Sequence, residues 1–244
     1  LRSQANILAK TFKTIDRQPD DLVALLYTSG TTGRSKGAML TQNNLLSNAK
    51  TLKNLWHINK DDILIHALPI FHTHGLFVAL NTALLAGTEV TFLPKFEITK
   101  IIEVMRSSTL LMGIPTFYTR LLADERLTKN LVKNMRLFIS GSAPLLAETH
   151  EEFTRRTGHH ILERYGMTET NMITSNPYHS ERRPGTVGKP LPDVEIKIND
   201  LKTGRENANG EIGMIEVRGP NVFKGYWNMP DTTARELKEN GYFI

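Results

Sequence analysis

The chain has 244 residues, about 40% of them hydrophobic, with a formal net charge of +5 and no cysteine. That length can bury a large core in one or two domains, and the missing cysteines exclude a disulfide framework and a thiolate zinc site. The cations are scattered without aromatic interleaving, which favours anionic small molecules over nucleic acid, and no apolar run is long enough to span a bilayer.

In chain order, Val23–Tyr27 predicts a short strand that feeds the loop "TSGTTGRSKG", and "GAMLT" predicts a second strand after it. Thr41 is placed to cap a helix, in which Leu45, Leu46, Ala49, Leu52 and Trp56 recur at helical spacing. Strands and helices then alternate. "DILIHALP", "TEVTFLP", "TLLMGIP", "MRLFISG" and "HHILERYG" predict strands. "GLFVALNTALLAG", "ITKIIEVMRSS", "TFYTRLLADERL" and "LLAETHEEFTRRTG" predict helices, with Gly87 and Gly158 as stops. This alternation predicts an α/β fold with a helix-covered, mainly parallel sheet. After Pro184 the pattern changes to period two around Gly and Asn turns, which predicts antiparallel strands. The chain starts at Leu1 and ends on "ENGYFI", so it reads as a fragment of a longer protein.

Three loops carry residue types suited to chemistry. In the first, Thr28, Ser29, Thr31, Thr32 and Ser35 supply hydroxyls, Gly30, Gly33 and Gly37 allow close backbone approach, and Lys36 adds a cation. A triphosphate needs that mixture, but the Walker pattern puts its lysine before a Ser or Thr that opens a helix. Here Lys36 precedes Gly37 and a strand, so the loop is expected to fold over phosphates as a flap between two strands. The bland alternative is a solvated Gly/Ser loop. The second loop, "SGSAPL", follows the apolar "RLFI" at a strand's carboxyl end, where open α/β sheets bind ligands. An ordinary strand-to-helix turn would look the same. The third, "ERYGMTETN", offers Tyr165 as a flat face for a base, Thr168 as a phosphate donor and Glu169 as a hard oxygen for Mg²⁺. A polar turn is its alternative reading.

Taken together, "YTSGTTGRSKGAML", "GSAPL", "YGMTET" and "GEIGMIEVRGPNVFKGYWNMPDTT", in that order, resemble the adenylate-forming family of acyl-CoA synthetases, luciferases and peptide-synthetase adenylation domains. The resemblance runs through nearly the whole chain. It implies a fragment of the large N-terminal domain of the adenylate-forming fold, with 1–183 as the α/β ATP- and acyl-binding part and 184–244 as a mainly β part of the same domain. It also implies that the domain's own N-terminal portion, the hinge and the small C-terminal domain are missing, and that the fragment alone has little activity.

In that family a carboxylate attacks the α-phosphorus of ATP, pyrophosphate leaves, and a thiol, usually coenzyme A, displaces AMP from the acyl-adenylate. The resemblance implies that Thr28, Ser29, Gly30, Thr31, Thr32, Gly33 and Lys36 hold the β- and γ-phosphates. Gly141, Ser142 and Ala143 border the adenine, Glu163, Gly166 and Met167 complete the nucleotide site, and Tyr165 stacks on the base. Thr168 touches the α-phosphate, Glu169 holds Mg²⁺, and His72 in "PIFHTHG" matches the gate between acyl pocket and nucleotide. Gly188 and the turn at Gly210–Gly213 look structural. A metal shared by His72 and His74 is the weaker reading, because no third ligand lies near. His159 and His160 read as a strand start.

For the acyl substrate, relatives that take long or aromatic groups often carry glycine before the motif tyrosine. Here that residue is Arg164, whose guanidinium would shorten the pocket and fork onto a second carboxylate. Arg120 is a further candidate, and a salt bridge within the protein is the alternative for each. Adjacent Glu163 would face the other side of the strand. Thr73, Ser142 and Met167 are expected as pocket walls. Within the family these stretches look like malonyl-CoA synthetases, which points to malonate. Another acyl-CoA synthetase of the family and an inactive nucleotide-binding fragment remain the alternatives. Either cytosol or mitochondrial matrix suits this chemistry.

Overall fold

The computed structural model describes residue 11, residues 13–28 and residues 35–244. Two strands, β1 (Leu22–Thr28) and β2 (Lys36–Thr41), pair antiparallel with Thr28 opposite Lys36. The expected pair of strands on either side of the glycine- and hydroxyl-rich loop is present. Thr41 then caps α1 (Gln42–Leu55): its hydroxyl accepts from Asn44 N–H, and the Asn44 side chain accepts from Thr41 N–H. This reciprocal box satisfies two of the donors that a helix start leaves open.

The main sheet has seven strands. They are β3 (Ile63–His66), β4 (Glu89–Phe92), β5 (Leu110–Gly113), β6 (Leu137–Ser140), β7 (Leu162–Met167), β8 (Asn171–Ser175) and β9 (Lys189–Pro190). Their spatial order is β4-β3-β5-β6-β7-β8-β9. The first five strands in that order pair parallel, and β8 and β9 are added antiparallel. The antiparallel part therefore starts at Asn171, ahead of Pro184. The crossovers contain α2 (Asn81–Ala86), α3 (Ile98–Met105), α4 (Pro115–Leu122) and α5 (Ala147–Thr157). Gly87 and Gly158 end α2 and α5 at φ +70° and +82°, a backbone region that glycine enters without a Cβ penalty.

The predicted helix over "GLFVALNTALLAG" is a π-helical turn, His74–Leu80, running into α2. Gly75 permits its entry, because a Cβ there would lie 2.2 Å from the Pro69 carbonyl oxygen. Beyond β9, β10 (Glu195–Asn199) and β11 (Met214–Arg218) form a separate antiparallel hairpin, and α6 (Pro230–Glu236) follows.

The core fills around the parallel strands. Leu64 and Ile65 of β3, Leu110 and Leu111 of β5, and Phe138 and Ile139 of β6 are almost fully buried. Each such side chain contributes about 1.5–3 kcal/mol through removal from water. Tyr118 of α4 packs edge-on against Phe153 of α5 and donates its hydroxyl to the Ile139 carbonyl at 2.6 Å. Asn48 of α1 exchanges two hydrogen bonds with the Met172 backbone, at 2.8 and 3.2 Å. That docking fixes α1, and β2 before it, against the β8 edge. No helix among the described residues is long and apolar enough to cross a membrane.

Candidate active site

The carboxyl end of β6 with the loop after it, the strand β7, and Gly185 and Val187 between β8 and β9 bound one cavity of about 270 Å³. Ser142 and Ala143 come from the loop after β6, and Glu163, Arg164, Tyr165 and Gly166 come from β7. This is the edge at which open α/β sheets place ligands. Gly141 leaves the Arg164 guanidinium its place: a Cβ there would lie 2.4 Å from the Arg164 Cζ and push that end of the side chain aside. Gly166 is required, since its Cβ would meet the Asn171 carbonyl oxygen at 1.9 Å. Small residues at these points let β7 turn into β8 and let a guanidinium lie over the loop.

Arg164 is 3% exposed, and its Nε and Nη2 are buried without a hydrogen-bond partner. No carboxylate pairs with it among the described residues. Burial pulls its pKa from the ordinary arginine range to about 9, and only the nearby Tyr118 opposes that shift. A buried cation left like this is unfavourable unless an anion completes it. Glu163 does face the other way, as its adjacent position requires: its Oε1 meets His150 Nδ1 at 3.2 Å and accepts from Gly185 N–H at 3.3 Å.

Other buried polar atoms, His74 near the guanidinium among them, lack hydrogen-bond partners. His74 Nδ1 lies 3.2 Å from Ser142 Oγ, while His74 Nε2, Thr73 Oγ1 and Ser140 Oγ have no partner. Burial, and then the charge of Arg164, hold His74 well below the ordinary histidine pKa. Its imidazole is therefore neutral at pH 7. His66 is buried behind it and brought to about 4 by burial. The "FHTHG" segment thus divides differently from its sequence reading. His72 is exposed and tilted against Phe71, with ring centres 4.5 Å apart, whereas Thr73 and His74 are buried at the start of the π-helical turn. Residues at i and i+2 share a face on a strand, but this segment is not a strand.

Arg120 is placed apart from the cavity. It ends α4 exposed, with its guanidinium 4.6 Å from the Phe96 ring centre. Its aromatic contact supplies the partner that Arg164 lacks.

A second cluster lies beside the strand ends that flank the loop expected to fold over phosphates. Ser29, Gly30, Thr31, Thr32 and Gly33 lie outside the described residues. Thr28 and Lys36, on the paired strands β1 and β2, flank them. Lys36 Nζ lies 2.8 and 2.9 Å from the two oxygens of Glu236, and 4.5 Å from the centre of the Tyr226 ring. The Tyr226 hydroxyl in turn lies 3.0 Å from Glu169 Oε1 and 2.9 Å from Glu236 Oε2. Burial and the two carboxylates push this phenol far above the ordinary tyrosine range, so it keeps its proton. The backbone seats it firmly. Lys224 and Trp227 donate to Met39 and Gly37 of β2 at 2.9 and 2.8 Å, and Phe223 donates to the Glu169 carbonyl at 2.7 Å.

Thr168 and Glu169 occupy the short turn between β7 and β8, with Glu169 8% exposed. Its Oε1 faces Tyr226, and Oε2 is the oxygen that could take a cation. Among the described residues no three His, Asp or Glu side chains gather into an all-protein metal cage. A Mg²⁺ ion fits one carboxylate of this kind, because it keeps waters and takes phosphate oxygens as its other ligands. Tyr165, half-buried, borders the cavity, and Met167 is the last residue of β7.

Sequence reasoning named neither Tyr226 nor Glu236, and weighed His74 only as a partner of His72 for a metal. Tyr226 lies within the "KGYWNMPDTT" stretch that carries part of the family resemblance, which was its available signal, whereas Glu236 lies beyond that stretch.

The AMP-binding enzyme family matches residues 3–227. This chain belongs to that family. Among its solved relatives, ATP-bound MatB from Rhodopseudomonas palustris is 60% identical and superimposes with a TM-score of 0.95, covering 100% of this chain and 48% of that one. A malonyl-CoA ligase solved as a ternary product complex with methylmalonyl-CoA and AMP is 39% identical, with a TM-score of 0.85, over 93% of this chain and 49% of that one. Among curated relatives, the malonate–CoA ligase of Arabidopsis thaliana is 41% identical over 92% of this chain and 40% of its own length. A mitochondrial malonate–CoA ligase of Mus musculus is 37% identical over 90% and 43%. The chain spans less than half the length of these relatives, and its parallel sheet is part of the adenylate-forming fold.

Proposed function

We propose that the protein carrying this chain joins malonate to coenzyme A at the expense of ATP. The malonate carboxylate attacks the α-phosphorus, the bond to the β-phosphate oxygen breaks, and pyrophosphate leaves. The coenzyme A sulfur then attacks the acyl carbon, loses its proton, and AMP leaves with the oxygen that carried the acyl group.

The single observation that carries the substrate class is the Arg164 guanidinium, buried at the cavity without a carboxylate partner. A dicarboxylate has one carboxylate to activate and one to spare, and the spare anion completes the fork. Thr73, Ser142 and Met167 are the proposed walls, with His74 Nε2 as a further donor. His72 is retained as the proposed gate.

In this reading Thr28, the loop after it and Lys36 hold the β- and γ-phosphates, Thr168 meets the α-phosphate, and Tyr165 carries the adenine beside Gly141, Ser142, Ala143, Glu163, Gly166 and Met167. Glu169 holds Mg²⁺, which would offset charge on the transferring phosphoryl group. Residues 1–183 form the ATP- and acyl-binding part, and 184–244 belong to the same domain. The cytosol or the mitochondrial matrix supplies the ATP and coenzyme A.

The test is pyrophosphate release by the intact protein with malonate, acetate, octanoate and benzoate in parallel. Malonate should be used best. Preference for a monocarboxylate would assign another acyl-CoA synthetase activity instead.

A further inference from the structure

We infer that Glu236 is a latch for Lys36: in the nucleotide-free protein it holds the lysine ammonium in a bidentate pair, and nucleotide binding transfers that ammonium from carboxylate to phosphate. The inference rests on the reading of Lys36 as a phosphate ligand.

The geometry is specific. The two residues are 200 positions apart in sequence, yet Nζ lies within 2.9 Å of both Glu236 oxygens. The pair is partly buried, at 15% and 30% side-chain exposure, so it is screened less than a surface pair. Beneath it the Tyr226 ring presents its face to the ammonium at 4.5 Å. Lys36 is therefore held from two sides, and its position is set by α6 and by the segment before it as well as by its own strand.

Two features make the hold reversible. First, Glu236 is an anion beside a site proposed to receive a triphosphate. Its pairing with Lys36 neutralises the cation that the phosphates need, so nucleotide and Glu236 compete for one ammonium. Second, Tyr226 has one hydroxyl proton and two carboxylate neighbours, Glu169 Oε1 at 3.0 Å and Glu236 Oε2 at 2.9 Å. It can donate to only one at a time. When Glu169 is engaged elsewhere, the proton is left for Glu236 Oε2, the same oxygen that Lys36 holds at 2.9 Å. That oxygen has lone pairs for both donors, and accepting from the phenol lowers the charge it presents to the ammonium. Tyr226 and Glu236 are thus positioning residues, which act through Lys36 and Glu169.

The test is calorimetric titration of the intact protein with ATP in the absence of divalent cations. Glu236→Gln removes the competing charge and should tighten ATP binding about five-fold, the scale of a partly exposed ion pair. Glu236→Asp withdraws the carboxylate by one methylene and should tighten it less, and carries the test alone if the glutamine variant does not fold. In a Lys36→Ala background, Glu236→Gln should have no effect. Unchanged or weaker ATP binding in the folded Glu236 variants would overturn the latch. So would a tightening that persists without Lys36, because that would be the general field of a removed anion. Wild-type protein that binds no ATP would instead contradict the nucleotide reading itself.

Discussion

The Arg164 guanidinium lies over Gly141 so closely that a single added Cβ would sit 2.4 Å from its Cζ. Gly141 follows β6 and Arg164 lies within the neighbouring parallel strand β7, and the missing side chain of one makes room for the charge of the other. Gly141→Ala should displace the flexible end of Arg164. We expect modest destabilisation, about 1–2 kcal/mol in urea unfolding, of the kind overpacking brings. The KM for malonate should rise at least about ten-fold, the loss of one charge-assisted hydrogen bond, with the KM for ATP changed far less.

Arg164→Met should separate stability from function. A buried cation without a partner is unfavourable, so an apolar side chain of similar length should stabilise the nucleotide-free protein by about 1–3 kcal/mol. Malonate use should fall in the same variant. Chemical denaturation and the substrate panel read the two effects independently.

Tyr226→Phe keeps the ring beneath Lys36 and removes the shared hydroxyl. We expect the factor by which Mg²⁺ strengthens ATP binding to shrink several-fold, because Glu169 and Glu236 no longer compete for one proton. Titrations with and without Mg²⁺ measure that factor, and a purely structural role for the hydroxyl would leave it unchanged.

His66 sets a pH limit on stability. Burial holds it neutral down to about 4, whereas the unfolded chain takes up the proton near 6.5. The unfolded state binds more protons between those values, so the contribution is fully present above 6.5 and is lost as pH falls toward 4. From pH 7.5 to pH 5 the loss amounts to about 2 kcal/mol. Urea unfolding at both pH values should show at least that loss in the wild type, since buried His74 adds to it in the same direction, and a smaller one in His66→Phe.

The parallel sheet was legible because each strand is a short apolar run and each crossover a helical repeat of ordinary length. The β8 strand was not: "NMITS" follows the Thr168–Glu169–Thr170 turn so directly that it reads as part of a polar loop. Nor was the π-helical turn, since one extra residue per turn leaves the apolar spacing of "GLFVALNTALLAG" within helical range. Arg164 could be singled out from sequence because its neighbours Tyr165 and Thr168 belong to a recognisable motif. His74 could not be told apart from His72, because two histidines at i and i+2 share a face only on a strand, and here the π-helical turn begins at His74. Glu236 offered no local signal. Its meaning comes from Lys36, which only the packing of α6 against β2 brings near.

The most direct test of the central claim is the ratio of malonate- to acetate-dependent pyrophosphate release, measured in the intact protein and in Arg164→Gly. The account predicts that malonate is strongly preferred by the wild type and that the ratio falls at least about ten-fold in the variant, the scale of a lost charge-assisted hydrogen bond. An unchanged ratio, with the variant folded and still turning over ATP, would show that Arg164 does not read the second carboxylate.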